Sequence, residues 1–403
     1  MKNSKKNNNQ HPETDLTTLG RDPLRYDGAV NTPVVRASTI LYPTVNALRK
    51  SSERNLELHN QAENKITYGR HGTPTTYALT ETLSSMDGAH QSFVFSSGKT
   101  AVLASLLAFL KKGDHMLMVD SAYGPSRELA KGLLKRFGVS TDFYDPQSNI
   151  NEIAKHLKPE TKVVFTESPG SLTFEIQDIP AIAELTQKSG IILITDNTWA
   201  SPLYCNPINL GADVSLQAGT KYLCGHSDVM LGVVSANKES SPAIAQAFED
   251  LGACPSPDDC YLALRGIRTL AVRLKRHEKT ALLLAEWFSK RSEVIDVLHP
   301  ALPNFPSHEI WKRDFSGSSG LFGIILKPHH IDSVENMLES LNLFGMGYSW
   351  GGYESLAIPT WPYKHREKSS WDPSNIYLRI HAGLEDPDDL IDDLSSGFKL
   401  LKS

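Results

Sequence analysis

A single lysine stands among small residues in the segment Gln217-Ala218-Gly219-Thr220-Lys221-Tyr222-Leu223-Cys224-Gly225-His226-Ser227-Asp228. The apolar run before it, from Ala212 to Gln217, is typical of a buried strand. A second such run, from Ile191 to Thr195, ends in Asp196-Asn197-Thr198-Trp199. Because the carboxyl ends of neighbouring parallel strands meet at one edge of a sheet, we expect Lys221 and Asp196 to lie close together.

A buried lysine beside a buried aspartate suits pyridoxal 5′-phosphate. The lysine forms a Schiff base with the aldehyde of this cofactor, and the aspartate keeps the ring nitrogen protonated, so that the ring acts as an electron sink. Alone, a lysine after a strand is usually a solvated surface residue, and an aspartate at a strand end is usually a turn or cap residue. The two together make a cofactor site the better interpretation.

The composition excludes several other classes of protein. The chain has 403 residues, 40% of them apolar and 22% charged, which suggests a soluble enzyme of two or three domains. A net charge of -5 offers no electrostatic footprint for nucleic acid or an anionic membrane, and no apolar run approaches the length of a membrane span. The four cysteines form neither a CxxC pair nor a metal-ligand spacing. We therefore expect a cytoplasmic protein without a metal site.

The pattern along the chain predicts an α/β fold. Residues 1–15 are polar and of low complexity, and are predicted to form a disordered tail. Residues 16–72 lack a helix–strand alternation and are predicted to be an extended N-terminal arm. Residues 73–267 alternate helices with short apolar strands, among them His115–Val119, Lys162–Thr166 and Ile191–Thr195. This pattern predicts a mostly parallel sheet buried on both faces, the cofactor-binding domain. A long helix predicted from Leu264 to Arg291 bridges the domains, and residues 268–403 are predicted to form a smaller α+β domain.

A turn of small residues also follows the first predicted strand of the cofactor-binding domain. Ser96-Ser97-Gly98-Lys99-Thr100 precedes an apolar helix. A helix that begins in small residues presents free N–H groups and the positive end of its dipole, which favours a phosphate. By itself such a pair is more often only a cap, and the P-loop spacing is absent. Gly98 and Lys99 are candidate phosphate ligands because they accompany Lys221 and Asp196.

Two further residues could bind the cofactor or its substrate. Tyr123 follows the strand that ends at Asp120, and an aromatic ring at a strand's carboxyl end can stack on a flat ring. Arg379 lies inside the strand-like run Ile376 to Ile380, and arginine is rarely buried without an anionic partner. That partner is either the α-carboxylate of an amino acid or a carboxylate of the protein itself.

These residues resemble the transsulfuration group of pyridoxal-phosphate enzymes, which has the aspartate-aminotransferase-like fold (fold type I). The resemblance covers residues 15 to 400. The matching motifs are Tyr68-Gly69-Arg70, Ser97-Gly98, Asp196-Asn197-Thr198-Trp199, Thr220-Lys221-Tyr222, Gly225-His226-Ser227-Asp228 and Arg265-Gly266-Ile267-Arg268-Thr269-Leu270.

Within this group the chain is most similar to the β-acting lyases. Ser171 and Ala218 stand where γ-acting relatives usually show an asparagine and a serine. The resemblance implies β-elimination of cystathionine to homocysteine, pyruvate and ammonia, as in methionine biosynthesis, and action on other cysteine S-conjugates. Two alternatives stay open: a γ-acting lyase or synthase, and a regulatory protein that keeps the fold without turnover.

The resemblance also implies a role for each cofactor residue. Lys221 holds the cofactor and shuttles the proton, Asp196 pairs with the ring nitrogen, and Tyr123 stacks on the ring. The phosphate is held by the backbone of Gly98 and Lys99 and by the Thr220 hydroxyl.

Other implied roles concern the substrate and the assembly. Arg379, with Ser349 and Trp350, binds the α-carboxylate. Tyr68 and Arg70 reach the phosphate in the neighbouring subunit, which makes a dimer the minimum active unit and a homotetramer the expected assembly.

One position departs from the β-lyase pattern. Relatives often have a second arginine after the Tyr68-Gly69-Arg70 motif, where it is implied in binding the substrate's distal carboxylate. Here the residue is His71. Arg127, about one helical turn beyond Tyr123, is a candidate to compensate on the basis of spacing alone.

Overall fold

The computed structural model describes residues 10–52 and 66–401. In these ranges it contains a seven-stranded sheet and a five-stranded sheet. The first is formed by residues before 240 and the second by residues after 290.

The larger sheet has the strand order β1-β7-β6-β5-β4-β2-β3. Only β7 runs against its neighbours, β1 and β6, and the other pairs are parallel. The mostly parallel sheet predicted from the sequence is therefore confirmed. Its strands are β1 (Gln91–Phe95), β2 (His115–Val119), β3 (Ser140–Tyr144), β4 (Thr161–Glu167), β5 (Ile192–Asp196), β6 (Val214–Ala218) and β7 (Gly232–Ala236).

Helices cover both faces of this sheet. Phe93 and Phe95 of β1 pack into one hydrophobic cluster, whereas Val94 between them packs into another on the opposite face, as alternation along a strand requires. Because most of the strands are parallel, their carboxyl ends form a single edge of the sheet, and polar residues collect there. The helices are α3 (Pro74–Asp87), α4 (Gly98–Phe109), α5 (Gly124–Leu129), α6 (Ile150–Lys155), α7 (Ile179–Lys188), α8 (Ser201–Tyr204), α9 (Ser241–Asp250) and α10 (Pro257–Arg268).

The smaller sheet has the order β10-β11-β12-β9-β8 and a separate apolar core. Its central strands β12 and β9 are antiparallel, and so are β11 with β12 and β8 with β9. The strands are β8 (Val294–Leu298), β9 (Leu321–Leu326), β10 (Phe344–Gly345), β11 (Ser355–Thr360) and β12 (Ile376–His381). The accompanying helices are α11 (Leu270–Ser289), α12 (His308–Asp314), α13 (Ile331–Glu339) and α14 (Pro387–Phe398).

The N-terminal region contains more helix than its sequence pattern suggested. Helix α1 (Pro12–Thr18) begins inside the predicted tail, with a proline in its first turn, and Leu16 is buried against Leu79 and Leu83 of α3. Apolar contact therefore orders residues 12–15, while residues 1–9 lie outside the described part. Helix α2 (Val45–Ser52) interrupts the predicted arm.

The long helix predicted from Leu264 to Arg291 is two helices. They meet at Thr269, whose φ of −109° and ψ of 6° end α10, and its hydroxyl accepts a hydrogen bond from Arg273 Nε at 3.1 Å. An apolar pattern continues across the junction because the end of α10 and the start of α11 bury their apolar residues in one cluster. Strands β3 and β8 were not predicted, since each is partly exposed and lacks a continuous apolar run.

Candidate active site

Lys221 lies in the turn after β6, against a loop of the smaller domain. Its Nζ donates a hydrogen bond to Ser349 Oγ at 2.5 Å and lies 5.3 Å from the centre of the Trp350 ring. Burial lowers the pKa of Lys221 to about 8, and the positive charge of Arg379 acts in the same direction, while Asp196 opposes it. A lysine with this pKa has a substantial neutral fraction near neutrality, as a nucleophile or base requires.

Asp196 ends β5, the strand next to β6. It accepts hydrogen bonds from the backbone N–H of Thr198 at 2.9 Å and from the Thr198 hydroxyl at 2.5 Å. The same hydroxyl accepts from the N–H of Ala218 at 2.9 Å and so ties the ends of the two strands together. Burial raises the pKa of Asp196 to about 6, although these hydrogen bonds lower it. A cation beside this carboxylate would lower its pKa again.

A second carboxylate, Glu167, was not singled out from the sequence. It ends β4 directly opposite Asp196 and accepts the N–H of Tyr123 at 2.6 Å. Burial and the charge of Asp196 raise the pKa of Glu167 well above its usual range. An acidic residue at the end of an apolar strand is the signal that could have found it. Its hydrogen bond holds Tyr123, the residue immediately before α5.

Tyr123 stands at the edge of the same group with its side chain half exposed. Burial raises the pKa of its phenol, with Glu167 acting in the same direction and Arg379 in the opposite one. A half-exposed ring at a strand's carboxyl end is free to stack on a flat ligand.

The N-terminus of α4 packs closely on the end of β6. A Cβ atom at Gly98 would lie 2.8 Å from the Cβ of Ala218, so only glycine fits there. Ser97 caps the helix by accepting the N–H of Thr100 at 3.2 Å. The first N–H groups of a helix lack an intrahelical acceptor, so those of Gly98 and Lys99 can bind an anion. The Thr220 hydroxyl is engaged with Leu231, accepting its N–H at 2.9 Å.

Arg379, in β12, brings an uncompensated positive charge to the site. Its Nη2 donates to the carbonyl oxygens of Ser349 at 2.9 Å and Gly347 at 3.2 Å. Its buried Nε has no partner, and no carboxylate of residues 10–52 or 66–401 forms an ion pair with it. Burial lowers the pKa of Arg379 to about 10. Of the two alternatives left open by the sequence, an external anion is therefore favoured over an internal ion pair.

The predicted residues Tyr68, Arg70 and His71 make their contacts elsewhere in this chain. Arg70 Nη1 pairs with Glu249 of α9 at 2.7 Å, and its Nη2 lies 3.0 Å from His71 Nε2. Tyr68 is 45% exposed. Burial lowers the pKa of His71, so its ring is neutral near neutral pH.

Arg127 cannot compensate for the missing arginine in the way its spacing suggested. It is buried and donates to both the backbone and the carboxylate of Asp120, the latter at 2.6 Å. Its guanidinium also lies 4.1 Å from the centre of the Phe143 ring. The arginine is therefore part of an internal ion pair.

The fold and the site together can be compared with known proteins. The sequence model of the family of Cys/Met metabolism PLP-dependent enzymes matches residues 13–399 of this chain. The chain belongs to this family. It is 41% identical to cystathionine beta-lyase MetC of Escherichia coli K12, over 96% of this chain and 98% of the relative. It is 37% identical to an L-alanine/L-glutamate racemase of Wolbachia pipientis, over 96% and 97%. The crystal structure of metB from Corynebacterium glutamicum superposes with a TM-score of 0.88 at 32% identity, covering 97% of this chain and 98% of that one.

Membership of this family makes pyridoxal 5′-phosphate the cofactor of the chain. The described residues fit it: a lysine of lowered pKa, a buried carboxylate in need of a cation, a helix N-terminus and an unpaired arginine meet at one edge. No group of histidine, cysteine, aspartate and glutamate in residues 10–52 and 66–401 could hold a metal ion. No helix in the same ranges is long and apolar enough to cross a membrane.

Proposed function

We propose that this protein is a cystathionine β-lyase, which cleaves the Cβ–S bond of cystathionine to give homocysteine, pyruvate and ammonia. The observation that carries the proposal is the contact of Lys221 Nζ with Ser349 Oγ, beside Arg379, which has no carboxylate partner among the described residues. The lysine and the arginine that can bind a carboxylate thus both form hydrogen bonds with Ser349. Cysteine S-conjugates of similar shape are expected to be further substrates.

The cofactor supplies an electron sink for the charge that develops at the substrate's α-carbon. Lys221 would hold its aldehyde and Asp196 its ring nitrogen, while Tyr123 would cover one face of the ring. The phosphate would lie at the N-terminus of α4, on the N–H groups of Gly98 and Lys99. The Thr220 hydroxyl would have to share or exchange its bond to Leu231 to join them.

Arg379 would orient the substrate through its α-carboxylate. Its Nη2 is already committed to the carbonyls of Gly347 and Ser349, so the guanidinium is fixed before the substrate arrives. The unpaired Nε supplies a donor that is buried and therefore strong. Ser349 and Trp350 flank the same position, one with a hydroxyl and the other with a ring.

Lys221 would then move the proton. Once the substrate's amine has displaced it from the cofactor, the neutral Nζ would take the proton from the α-carbon. The Cβ–S bond would break with its electron pair on sulfur, the proton would pass to that sulfur to give homocysteine, and hydrolysis of the remaining three-carbon fragment would give pyruvate and ammonia. The pKa of about 8 makes the neutral amine accessible at neutral to slightly alkaline pH. The hydrogen bond to Ser349 holds Nζ in a defined position between these steps.

The site would be completed by a second copy of the chain. Tyr68 and Arg70 would reach the phosphate of the neighbouring subunit, and a homotetramer would consist of two such dimers. The N-terminal region supports this assembly because it exposes large apolar side chains, which commonly mark protein interfaces. Those side chains are Leu24, Val30, Leu41, Val45 and Leu48. A cytoplasmic location and homotetrameric assembly form part of the same proposal.

Product identification tests the proposed reaction. The purified protein is incubated with cystathionine, and the keto acid and thiol are identified, with Lys221→Ala as the matched control. Pyruvate and homocysteine are expected. Release of 2-oxobutyrate and cysteine would instead establish a γ-acting lyase. A protein that binds no cofactor and turns over no substrate would be the regulatory alternative.

A further inference from the structure

A buried histidine lies directly behind the loop that meets Lys221. His381 ends β12 and is completely buried. Its Nε2 is 3.1 Å from the backbone nitrogen of Gly351 and 3.2 Å from the carbonyl oxygen of Gly352. The ring therefore contacts the backbone of the segment that carries Ser349.

A neutral ring nitrogen cannot serve both backbone groups, because it either carries a proton or accepts one. A buried N–H without an acceptor is rarer than a carbonyl with a free lone pair, so Nε2 of His381 accepts the N–H of Gly351. Nδ1 then carries the proton. Burial holds the pKa of His381 well below its usual range, and His277, Arg379 and Lys221 lower it further. The ring stays neutral and keeps its acceptor.

A neighbouring histidine provides the complementary atom. His277 Nδ1 lies 2.7 Å from the carbonyl oxygen of Ala382 and so carries the proton, which leaves its buried Nε2 as an acceptor. Among the residues that the structure describes, neither this atom nor His381 Nδ1 has a partner. One is a donor and the other an acceptor, and the ring centres are 5.2 Å apart, so the two tautomers are complementary.

The loop that His381 touches is closely fitted to the lysine. A Cβ atom at Gly351 would lie 3.1 Å from the Cα of Lys221. Ser349 has a φ of +77° and Gly351 a φ of +89°, both in the left-handed region, where a non-glycine residue is strained. Such a conformation persists only when surrounding contacts hold it, and the hydrogen bond from Gly351 to His381 is one of them.

We propose that His381 is a positioning residue for Lys221, because its ring accepts the Gly351 N–H and thereby holds Ser349 and Trp350 against the lysine. The proposal rests on the proposed role of Lys221 as the cofactor lysine. Since Arg379 donates a hydrogen bond to the carbonyl oxygen of Ser349, movement of the loop would also displace the guanidinium that is proposed to bind the α-carboxylate.

The test compares two buried histidines that each accept one backbone N–H at 3.1 Å. His381 accepts that of Gly351, and His299 accepts that of Ala301, outside the Lys221 site. The variants are His381→Leu, His381→Gln and the control His299→Leu, each purified with pyridoxal 5′-phosphate. Binding of L-alanine, which has no β leaving group, is measured from the change in the visible absorbance of the bound cofactor, and thermal unfolding is measured in parallel.

His381→Leu should weaken L-alanine binding by about ten-fold, the usual scale for one hydrogen bond. His381→Gln, whose amide oxygen can reach Gly351, should recover most of this loss, and His299→Leu should lose thermal stability without losing affinity. Equal affinities in His381→Leu and His299→Leu would overturn the proposal, and so would a His381→Gln variant as weak as the leucine variant. If His381→Leu does not fold, His381→Asn, whose amide is too short to reach, takes its place. If the unmodified protein gives no visible absorbance with the cofactor, the proposed function and this role both fall.

Discussion

The buried carboxyl of Asp87 should make the stability of this protein depend on pH, and Asp87→Asn should remove that dependence. Asp87 ends α3 and is completely buried beneath the larger sheet. It accepts hydrogen bonds from Ser235 at 2.6 Å and Gln217 at 3.3 Å, and Ser215 lies 3.5 Å away. Gln217 opens the segment that contains Lys221, so this carboxyl supports the strand that positions the lysine.

The expected magnitude follows from the pKa of Asp87. Burial raises it from 3.8 to about 7, although the three hydrogen bonds lower it. An acid whose pKa is raised on folding stabilises the fold in its protonated form. That contribution is fully present below the unfolded pKa and is lost as pH rises towards the folded one. One pKa unit corresponds to about 1.4 kcal/mol, so the whole loss is at most about 4 kcal/mol.

Urea unfolding of the two proteins at about pH 5 and about pH 7 measures this effect. The asparagine side chain of the variant cannot ionise, and the hydroxyls and the Gln217 amide can reorient to satisfy its amide group. The stability of Asp87→Asn relative to the unmodified protein should therefore increase by about 2 kcal/mol between these pH values, at unchanged m. A pH-independent difference would refute the reasoning, because Asp87 would then be ionised in the folded protein, as in the unfolded one, throughout the range.

Four further predictions concern the proposed site. Lys221→Ala should abolish turnover and the visible absorbance of the bound cofactor, and borohydride reduction with peptide mapping of the unmodified protein should label Lys221; a label on Lys99 would contradict the assignment. Asp196→Ala should retain some cofactor but lose most turnover, since a charge-assisted hydrogen bond worth roughly 1.5–3 kcal/mol disappears, and near-normal turnover would exclude its role. The Arg70→Ala and Lys221→Ala variants should each have little or no activity alone, but a mixture of the two should regain partial activity after their subunits exchange. Demonstrated exchange without recovery would indicate that each active site is formed within one subunit. His71→Arg should lower the KM for cystathionine but not for an S-alkyl cysteine, because arginine adds a permanent charge and a bidentate donor; equal effects on both substrates would mean that residue 71 does not contact the distal carboxylate.

The relatives bear on the step that Lys221 is proposed to carry out. A β-lyase and a racemase are both about two-fifths identical to this chain, and both reactions begin with proton transfer at an α-carbon. Proton transfer at the α-carbon is therefore common to β-elimination, the proposed reaction of this chain, and to racemisation. Products from cystathionine, together with the optical purity of recovered L-alanine, distinguish the two outcomes.

Several parts of the fold could be read from local pattern. The strands β2, β4 and β5 were predicted nearly at their observed limits because each is a continuous apolar run buried on both faces. The helix α4 was predicted from its small-residue start and apolar body. The partly exposed strands β3 and β8 were missed, because an edge strand need not be apolar. The break at Thr269 was missed because it interrupts the backbone and not the apolar pattern.

The sequence by itself determined the family, the fold class and the cofactor. A lysine or an aspartate at the end of an apolar strand is a motif of residues adjacent in the chain, so it can be recognised without the tertiary structure. Only the tertiary structure decided which distant groups surround that lysine. Ser349 of the smaller domain contacts Lys221, and Arg379 and His381 form hydrogen bonds with the loop that carries Ser349. Glu167 meets Asp196 through strand pairing. Tertiary structure also decided that Arg127 pairs with Asp120, while Arg379 has no carboxylate partner within residues 10–52 and 66–401. Both residues are arginines near an apolar segment, so their local sequences look alike. A carboxylate of the protein lies close enough to Arg127 to form an internal ion pair, whereas Arg379 remains able to bind the carboxylate of a substrate.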